Sequence, residues 1–321
     1  MKKLIQNLYY PSENELNSNQ RNYFIDNAKF LLMVLVVVGH FGLKQFYLPQ
    51  IKHITYFIYV FHMPCFIFIS GFLAKRMNVG GKLRIEKIIT IIFMYILFKG
   101  GYVLLGYVFN KKIKLNLFVG TSAPWYLLAL SIWYLFVPFL ERIKPKYLIT
   151  ASFIIGIWVG NLKCVNDVFS LSRVFVFFPF FIIGFCLTEQ ALQEFLDKKL
   201  RIYALIFMIL TLSFFLINGS SLKPVISIIY ASKPYTSSLR DLAPYGMLVR
   251  AIWYLLASIL SISFLLLVPR CKFFFSKYGA RTMQIYMTHI WFRNALLYAG
   301  FFTALKESPD YLSYMVFFGS I

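Results

Sequence analysis

Apolar runs long enough to cross a bilayer follow one another along almost the whole chain, separated by short polar connections. A window of about twenty residues marks helices at 23–43, 53–74, 86–109, 122–140, 147–163, 172–188, 202–217, 247–268 and 282–303. A tenth run begins near Tyr311 and stops at Ile321, too soon to cross. A truncated last helix, a short terminal helix and a longer parent chain are all compatible with it. The pattern predicts an all-α fold, a polytopic transmembrane helical bundle of about ten helices occupying 23–321. Residues 1–22, MKKLIQNLYYPSENELNSNQRN, hold no long apolar run. The first such run is of full spanning length and lacks an A-x-A-like cleavage site behind it, so 1–22 reads as a cytosolic N-terminal extension and not as a cleaved signal.

Orientation follows from the cations in the connections. Lys75, Arg76, Lys82, Arg84 and Lys87, then Arg142, Lys144 and Lys146, then Lys198, Lys199 and Arg201, then Arg270, Lys272, Lys277 and Arg281 occupy every second connection. By the positive-inside bias these face the cytosol together with the N-terminus. Lys111, Lys112 and Lys114, in a connection expected outside, run against the pattern. The chain is expected in the cell membrane, a bacterial plasma membrane, as a multi-pass protein.

Composition strengthens this picture. The chain is 60% hydrophobic and only 14% charged, where a soluble domain carries about a quarter charged residues. The net charge of +21 would suit nucleic acid, but the cations are spread over the connections with no compact basic face. Topology and anionic membrane lipid account for them, and no nucleic-acid partner is expected. Cys65, Cys186 and Cys271 lie in or beside apolar stretches and Cys164 sits alone near a loop. That spacing offers neither a disulfide framework nor a metal site.

Chemistry must come from the few polar residues inside the spans. The first, YFIDNAKFLLMVLVVVGHFGL, carries Asp26, Lys29 and His40. An ionisable group in a span costs a few kcal/mol even on lenient scales, so it usually faces a protein interior or an aqueous cavity. Lys29 and His40 are eleven residues apart, about 20° past three turns and roughly 16 Å along the axis. One elongated ligand could touch both. His40, flanked by Gly39 and Gly42, is a candidate general base, against the plainer reading of a histidine satisfied by a neighbouring helix. Lys29 can instead snorkel, and Asp26 can sit favourably at a helix N-terminus.

In the second span, Pro64 should bend the helix and free carbonyls near His62, while Ser70 and Gly71 suit close helix packing. Arg173 and Arg250 begin the sixth and eighth spans, where they serve either as sites for an anionic substrate or as interfacial anchors. His289 and Arg293 lie inside the ninth span. Tyr230, Tyr235 and Tyr245, in the long connection 218–245, could stack on sugar faces or anchor the interface.

These residues resemble the integral-membrane acyltransferase-three family, in particular its fucose 4-O-acetylase-like branch. The resemblance runs nearly end to end. FIDNAKFLLMVLVVVGH looks like the family's first-helix signature of a basic residue, ten intervening residues and a histidine. Lysine stands where many relatives carry arginine, which leaves a point charge in place of a bidentate fork. FHMPCFIFISGF at 61–72, PWYLLAL at 124–130, SRVFVFFPFFIIGF at 172–185 and GARTMQIYMTH at 279–289 resemble the branch's blocks in order.

The resemblance implies transfer of an acyl group, commonly acetyl from acetyl-CoA at the cytosolic side, to a hydroxyl of a cell-surface or lipid-linked glycan. His40 would act as catalytic base, with Asp26 beside it in the catalytic set. Lys29, Arg281 and His289 would bind the donor, and His62, Arg173 and Arg250 the acceptor. Acyl-CoA is then a co-substrate, with no permanently bound cofactor and no metal. No G-x-S-x-G element supports a serine nucleophile. Two other classes remain open, a small-solute transporter and a non-catalytic component of polysaccharide export.

Overall fold

The computed structural model describes residues 22–119, 123–196 and 198–320, so all but Asn22 of the expected cytosolic extension lies outside the described residues. Asn22 caps the first helix, α1 (Tyr23–Gly42), by accepting a hydrogen bond from the Ile25 amide at 3.2 Å, and Asp26 sits in its first turn. Both features complement the exposed N–H groups of a helix start. Helix α2 (Pro49–Ala74) begins on Pro49, whose missing N–H costs nothing there. It runs as one helix through Pro64. A hairpin of two short strands, β1 (Asn78–Val79) and β2 (Lys82–Leu83), turns the chain back through Gly80 and Gly81 at φ 59° and 75°.

Helices α3 (Ile85–Val108), α4 (Trp125–Leu140), α5 (Pro145–Trp158), α6 (Leu171–Cys186), α7 (Glu189–Phe195), α8 (Arg201–Asn218) and α9 (Gly246–Leu267) follow. Helix α10 (Thr282–Tyr298) is ended by Gly300 at φ 81°, so the expected span 282–303 divides into α10 and a short α11 (Phe301–Glu307). Helix α12 (Asp310–Gly319) fills the last apolar run.

The all-α expectation holds, and the helix starts fall close to those read from hydropathy. The expected number of about ten membrane helices is not confirmed. Among the described residues five helical segments have the length and apolarity to cross a membrane, from Tyr23, Pro49, Ile85, Arg201 and Arg240. Helices α4 and α6, sixteen residues each, rise only about 24 Å against a hydrocarbon core of roughly 30 Å. Pro124 before α4, the 3₁₀ turn Val159–Asn161 after α5 and Gly300 after α10 set the shorter lengths. The side of the membrane on which the N-terminus lies is a matter of sequence bias alone.

The tightest crossing is between α2 and α6. A Cβ at Gly71 would overlap the Phe181 carbonyl, and one at Gly184 would overlap the Phe68 carbonyl, so two glycines let the backbones touch. Without a hydrophobic drive between helices in lipid, such close packing carries association. Trp133 stacks on Phe181 at 5.2 Å beside this contact. Facing outward, α3 exposes Ile89, Phe93 and Leu104, and α8 exposes Ile206, Leu210 and Ile217. Only hydrocarbon would cover such faces.

The connection 219–245 is not the tyrosine platform expected of it. It coils into short helical turns, and Tyr235 is 1% exposed, with its hydroxyl donating to the Ile157 carbonyl at 2.6 Å. Its ring fills the space beside Gly160 and Gly246. Tyr245 alone of the three stays fully exposed.

Gly71→Leu is expected to lower the unfolding temperature of the detergent-solubilised protein sharply, since overpacking costs roughly 1–3 kcal/mol even where neighbours can yield. Gly100→Leu, where an added Cβ meets nothing, should unfold at or above the wild-type temperature. Equal melting of the two variants would show that the α2–α6 contact is not tight.

Candidate active site

The polar residues of α1 mark two places joined along one helix face. At its start, Lys29 Nζ pairs with Asp26 Oδ1 at 3.0 Å across one turn, with both side chains partly exposed. Next to Asp26, Asn27 is fully buried. Its amide donates to the Pro269 and Cys271 carbonyls at 3.0 and 2.9 Å, and its oxygen accepts from Ser276 Oγ at 2.6 Å. Gly279 lies against the Asp26 backbone, too close for any side chain. These contacts bind the segment before α10 to the start of α1.

The result is a cleft of about 130 Å³ lined by Lys29, Met33, Ser70, Tyr126, Tyr134 and Tyr286, with Thr282 and Met283 at its edge. Ser70 Oγ and Tyr126 OH are 2.7 Å apart, and Ser70 also donates to the Phe66 carbonyl. Ser70 thus does more than permit packing. Arg281, exposed, immediately precedes Thr282 and stands beside this cleft.

At the far end of α1, His40 meets His289 of α10, their ring centroids 5.4 Å apart. His289 Nδ1 lies 2.8 Å from the Ile285 carbonyl. A carbonyl can only accept, so Nδ1 carries the proton and a neutral ring presents Nε2 as a lone pair. His289 Nε2 and His40 Nδ1 are buried and find no hydrogen-bond partner. Tyr59 completes the group. Its ring lies 6.2 Å from His40 and 4.7 Å from His62, and its buried hydroxyl has no partner either. Gly39 makes room for that ring, as the glycines around His40 suggest. His62 is 2% exposed and bonds its own helix at the Ile58 carbonyl, 2.8 Å away.

Arg293, one turn beyond His289, is 6% exposed. Its Nε and Nη2 donate to Asn294 Oδ1 at 3.2 and 2.7 Å, and Nη1 donates to the His40 carbonyl at 3.4 Å. No carboxylate pairs with it among the described residues. Tyr59, Tyr102 and Tyr298 lie within electrostatic reach of its guanidinium. Burial, and then the Arg293 charge, hold the Lys44 amine below its ordinary range just past the end of α1. From His289 an apolar groove of about 600 Å³ opens between α1, α10 and α12, lined by Val37, Phe41, Phe292, Leu312 and Val316 among others.

A family model described as an acyltransferase domain matches residues 22–320, nearly the whole chain. The chain belongs to the integral-membrane acyltransferase-three family. No curated protein and no solved structure matches it significantly. The acyltransferase is a multi-pass membrane transferase, and the two polar places on α1 are where its buried functional groups collect.

Of the residues singled out in the sequence, the structure brings together His40, His62 and His289 at one end of α1, and Asp26 and Lys29 at the other. His289, expected near the donor, stands against His40, and Tyr286 on the same helix joins its ring to the Lys29 cleft at 6.0 Å. Arg173 pairs with Asp167 at 2.9 Å, donates to the Tyr230 carbonyl at 3.1 Å and lies over the Trp125 ring. The Tyr230 ring in turn packs on Tyr59 at 5.5 Å, so Arg173 reaches the histidines only through a braced neighbour.

Arg250 joins neither place. It is 1% exposed, donates to the Ile228 carbonyl at 2.9 Å and lies over the Tyr235 and Trp253 rings. That is a strut between α9 and the 219–245 connection. Tyr59, Tyr126 and Tyr102 carried no signal in the sequence that would separate them from interfacial tyrosines. Arg293 was visible as a charge inside a span, without an assignment. Among the described residues no three His, Cys, Asp or Glu side chains gather to hold a metal ion.

Asn27→Ala would strip the Pro269 and Cys271 carbonyls of their amide donor and Ser276 Oγ of the acceptor it donates to, and a buried group left unsatisfied costs roughly 1–3 kcal/mol. The variant is expected to unfold several degrees lower in detergent. Wild-type melting would mean that this amide does not hold the cleft beside Lys29.

Proposed function

We propose that this acyltransferase moves an acetyl group from acetyl-CoA, or another acyl group from its CoA ester, to a hydroxyl of a cell-surface or lipid-linked glycan, in the manner of the fucose 4-O-acetylase-like branch. One observation carries the reading. His40 and His289 stand 5.4 Å apart with the buried His40 Nδ1 and His289 Nε2 unpartnered, and His40 shares a face of α1 with a lysine–aspartate pair whose lysine is roughly 16 Å away along the axis.

In this scheme the donor enters from the cytosol. Its phosphates meet Lys29, steadied by Asp26, and the exposed Arg281, while the extended pantetheine arm follows α1 towards His289. The acceptor hydroxyl attacks the thioester carbonyl as His40 takes its proton. The carbon–sulfur bond then breaks, the ester forms, and the proton returns to the departing CoA thiolate. Arg293 and the Tyr59 hydroxyl supply positive potential and a donor where the carbonyl oxygen gains charge. The apolar groove beside His289 supports a lipid-borne acceptor, because it offers a tail a side entrance from the bilayer. No acyl-enzyme is required.

The test is glycan acetylation in cells. His40→Ala, inserted at wild-type level, should reduce the glycan's acyl ester content about 10²- to 10⁴-fold. Lys29→Ala should weaken binding of acetyl-CoA to the solubilised protein, with Lys29→Arg retaining much of it because the charge is kept. Near-normal acylation by His40→Ala would sink the mechanism, and unchanged donor binding by Lys29→Ala would reduce that lysine to a snorkelling side chain.

A further inference from the structure

The connection 109–119 does not simply cross to α4. Asn110 at φ 52° turns the chain back, Lys111 N–H closes on the Gly106 carbonyl at 2.8 Å, and Ile113 packs where Gly106 has no side chain. The segment then runs back along α3 as a strap. Tyr95 OH donates to the Leu117 carbonyl at 2.6 Å and Lys99 Nζ to the Val119 carbonyl at 2.9 Å. Between strap, α3 and α10 lies a pocket of about 260 Å³ lined by Lys99, Tyr102, Lys114, Asn116 and Tyr298 among others. Trp291 of α10 packs against Gly101 of α3.

Two observations on this pocket point to an anion. Lys99 is 8% exposed inside a spanning helix, an expensive place for an ammonium, and the Val119 carbonyl occupies one of its three protons. Lys114, which also lines the pocket, belongs to the lysines that run against the charge pattern of the connections, so membrane orientation does not account for it. Neither has a carboxylate partner among the described residues, and no acid lines the pocket.

The pocket is also at the right end of the protein. Lys99 lies fourteen residues into α3 and His40 seventeen into α1, depths of about 21 and 26 Å from helix starts on the same side. Tyr102 and Tyr298, on the pocket wall, lie within electrostatic reach of the Arg293 guanidinium that donates to the His40 carbonyl.

We propose that this pocket binds an anionic sugar residue of the acceptor, its carboxylate held by Lys99 and Lys114 and its ring against Tyr102 and Tyr298, and so presents a neighbouring hydroxyl towards the histidines. The assignment rests on the acyltransferase reading and names the class of acceptor, an acidic glycan. Anionic lipid headgroups offer similar oxygens and are the competing source of charge.

The full-length protein in phosphatidylcholine nanodiscs, without acyl donor, should bind tetragalacturonic acid at least tenfold more tightly than its neutral methyl ester. Lys99→Met and Lys114→Gln should each weaken the acid about tenfold, as loss of a charge-assisted contact does. Lys146→Gln, in a different connection, should not. Lys114 is exposed on the strap, so its variant tests the idea even where Lys99→Met folds poorly. Equal affinity for acid and ester, no binding of either, or retention of the preference in Lys114→Gln would overturn the proposal. Phosphatidylglycerol that copurifies with wild type, is lost from Lys114→Gln and blocks the oligosaccharide would hand the pocket to lipid and overturn it as well. With no donor present, failure here leaves acyl transfer untouched, and loss of acylation in His40→Ala leaves this binding intact.

Discussion

A bilayer core solvates no polar atom, so every donor and acceptor inside the bundle must find a partner within the protein. Most of this chain obeys. Ser70 with Tyr126, Tyr254 with the Val176 carbonyl, Tyr235 with the Ile157 carbonyl and Asn27 with three partners are each satisfied. Against that background His40 Nδ1, His289 Nε2 and the Tyr59 hydroxyl are unpartnered and share a single cluster of ring contacts. Gln45, Arg250 Nε and Trp253 Nε1 are unpartnered as well, but the histidine cluster gathers three such groups, which makes it the candidate for substrate contact.

Helix α10 is what makes one site of separate parts. Its start is fixed to α1 through Asn27, Ser276 and Gly279, its middle sets His289 against His40, and its far half shares Tyr298 with the strap over α3. The Lys29 cleft, the histidine pair and the pocket under the strap thus lie along one helix. A shift of α10 would alter all three together, and the close contacts of Gly279 with the Asp26 backbone and of Gly101 with Trp291 leave little room for one.

Much of this was legible in the chain. Hydropathy marks the helices because lipid demands it, and Lys29 and His40 stand out since charge is rare in a span. Helix length was less legible, because Pro124 before α4, a 3₁₀ turn after α5 and Gly300 after α10 shorten elements whose apolar runs continue. Arg250 was ambiguous in sequence, since a buried strut and a substrate-binding arginine look alike until the Ile228 carbonyl and two aromatic rings appear around it. Tyr59 and Tyr102 are two of 22 tyrosines, most of them indistinguishable from interfacial anchors. Lys99 is hidden in an apolar run, and its meeting with Lys114 depends on one left-handed residue, Asn110, that turns the strap back.

The central claim is that His40 and His289 act as one unit on the acyl group. Release of CoA from acetyl-CoA, measured in membrane vesicles containing the native acceptor for His40→Ala, His289→Ala and the double variant, tests it most directly. Residues that act together are non-additive, so each single variant should lose most of the activity and the double variant should fall little further. Full activity in His289→Ala, or losses that multiply in the double variant, would contradict the account.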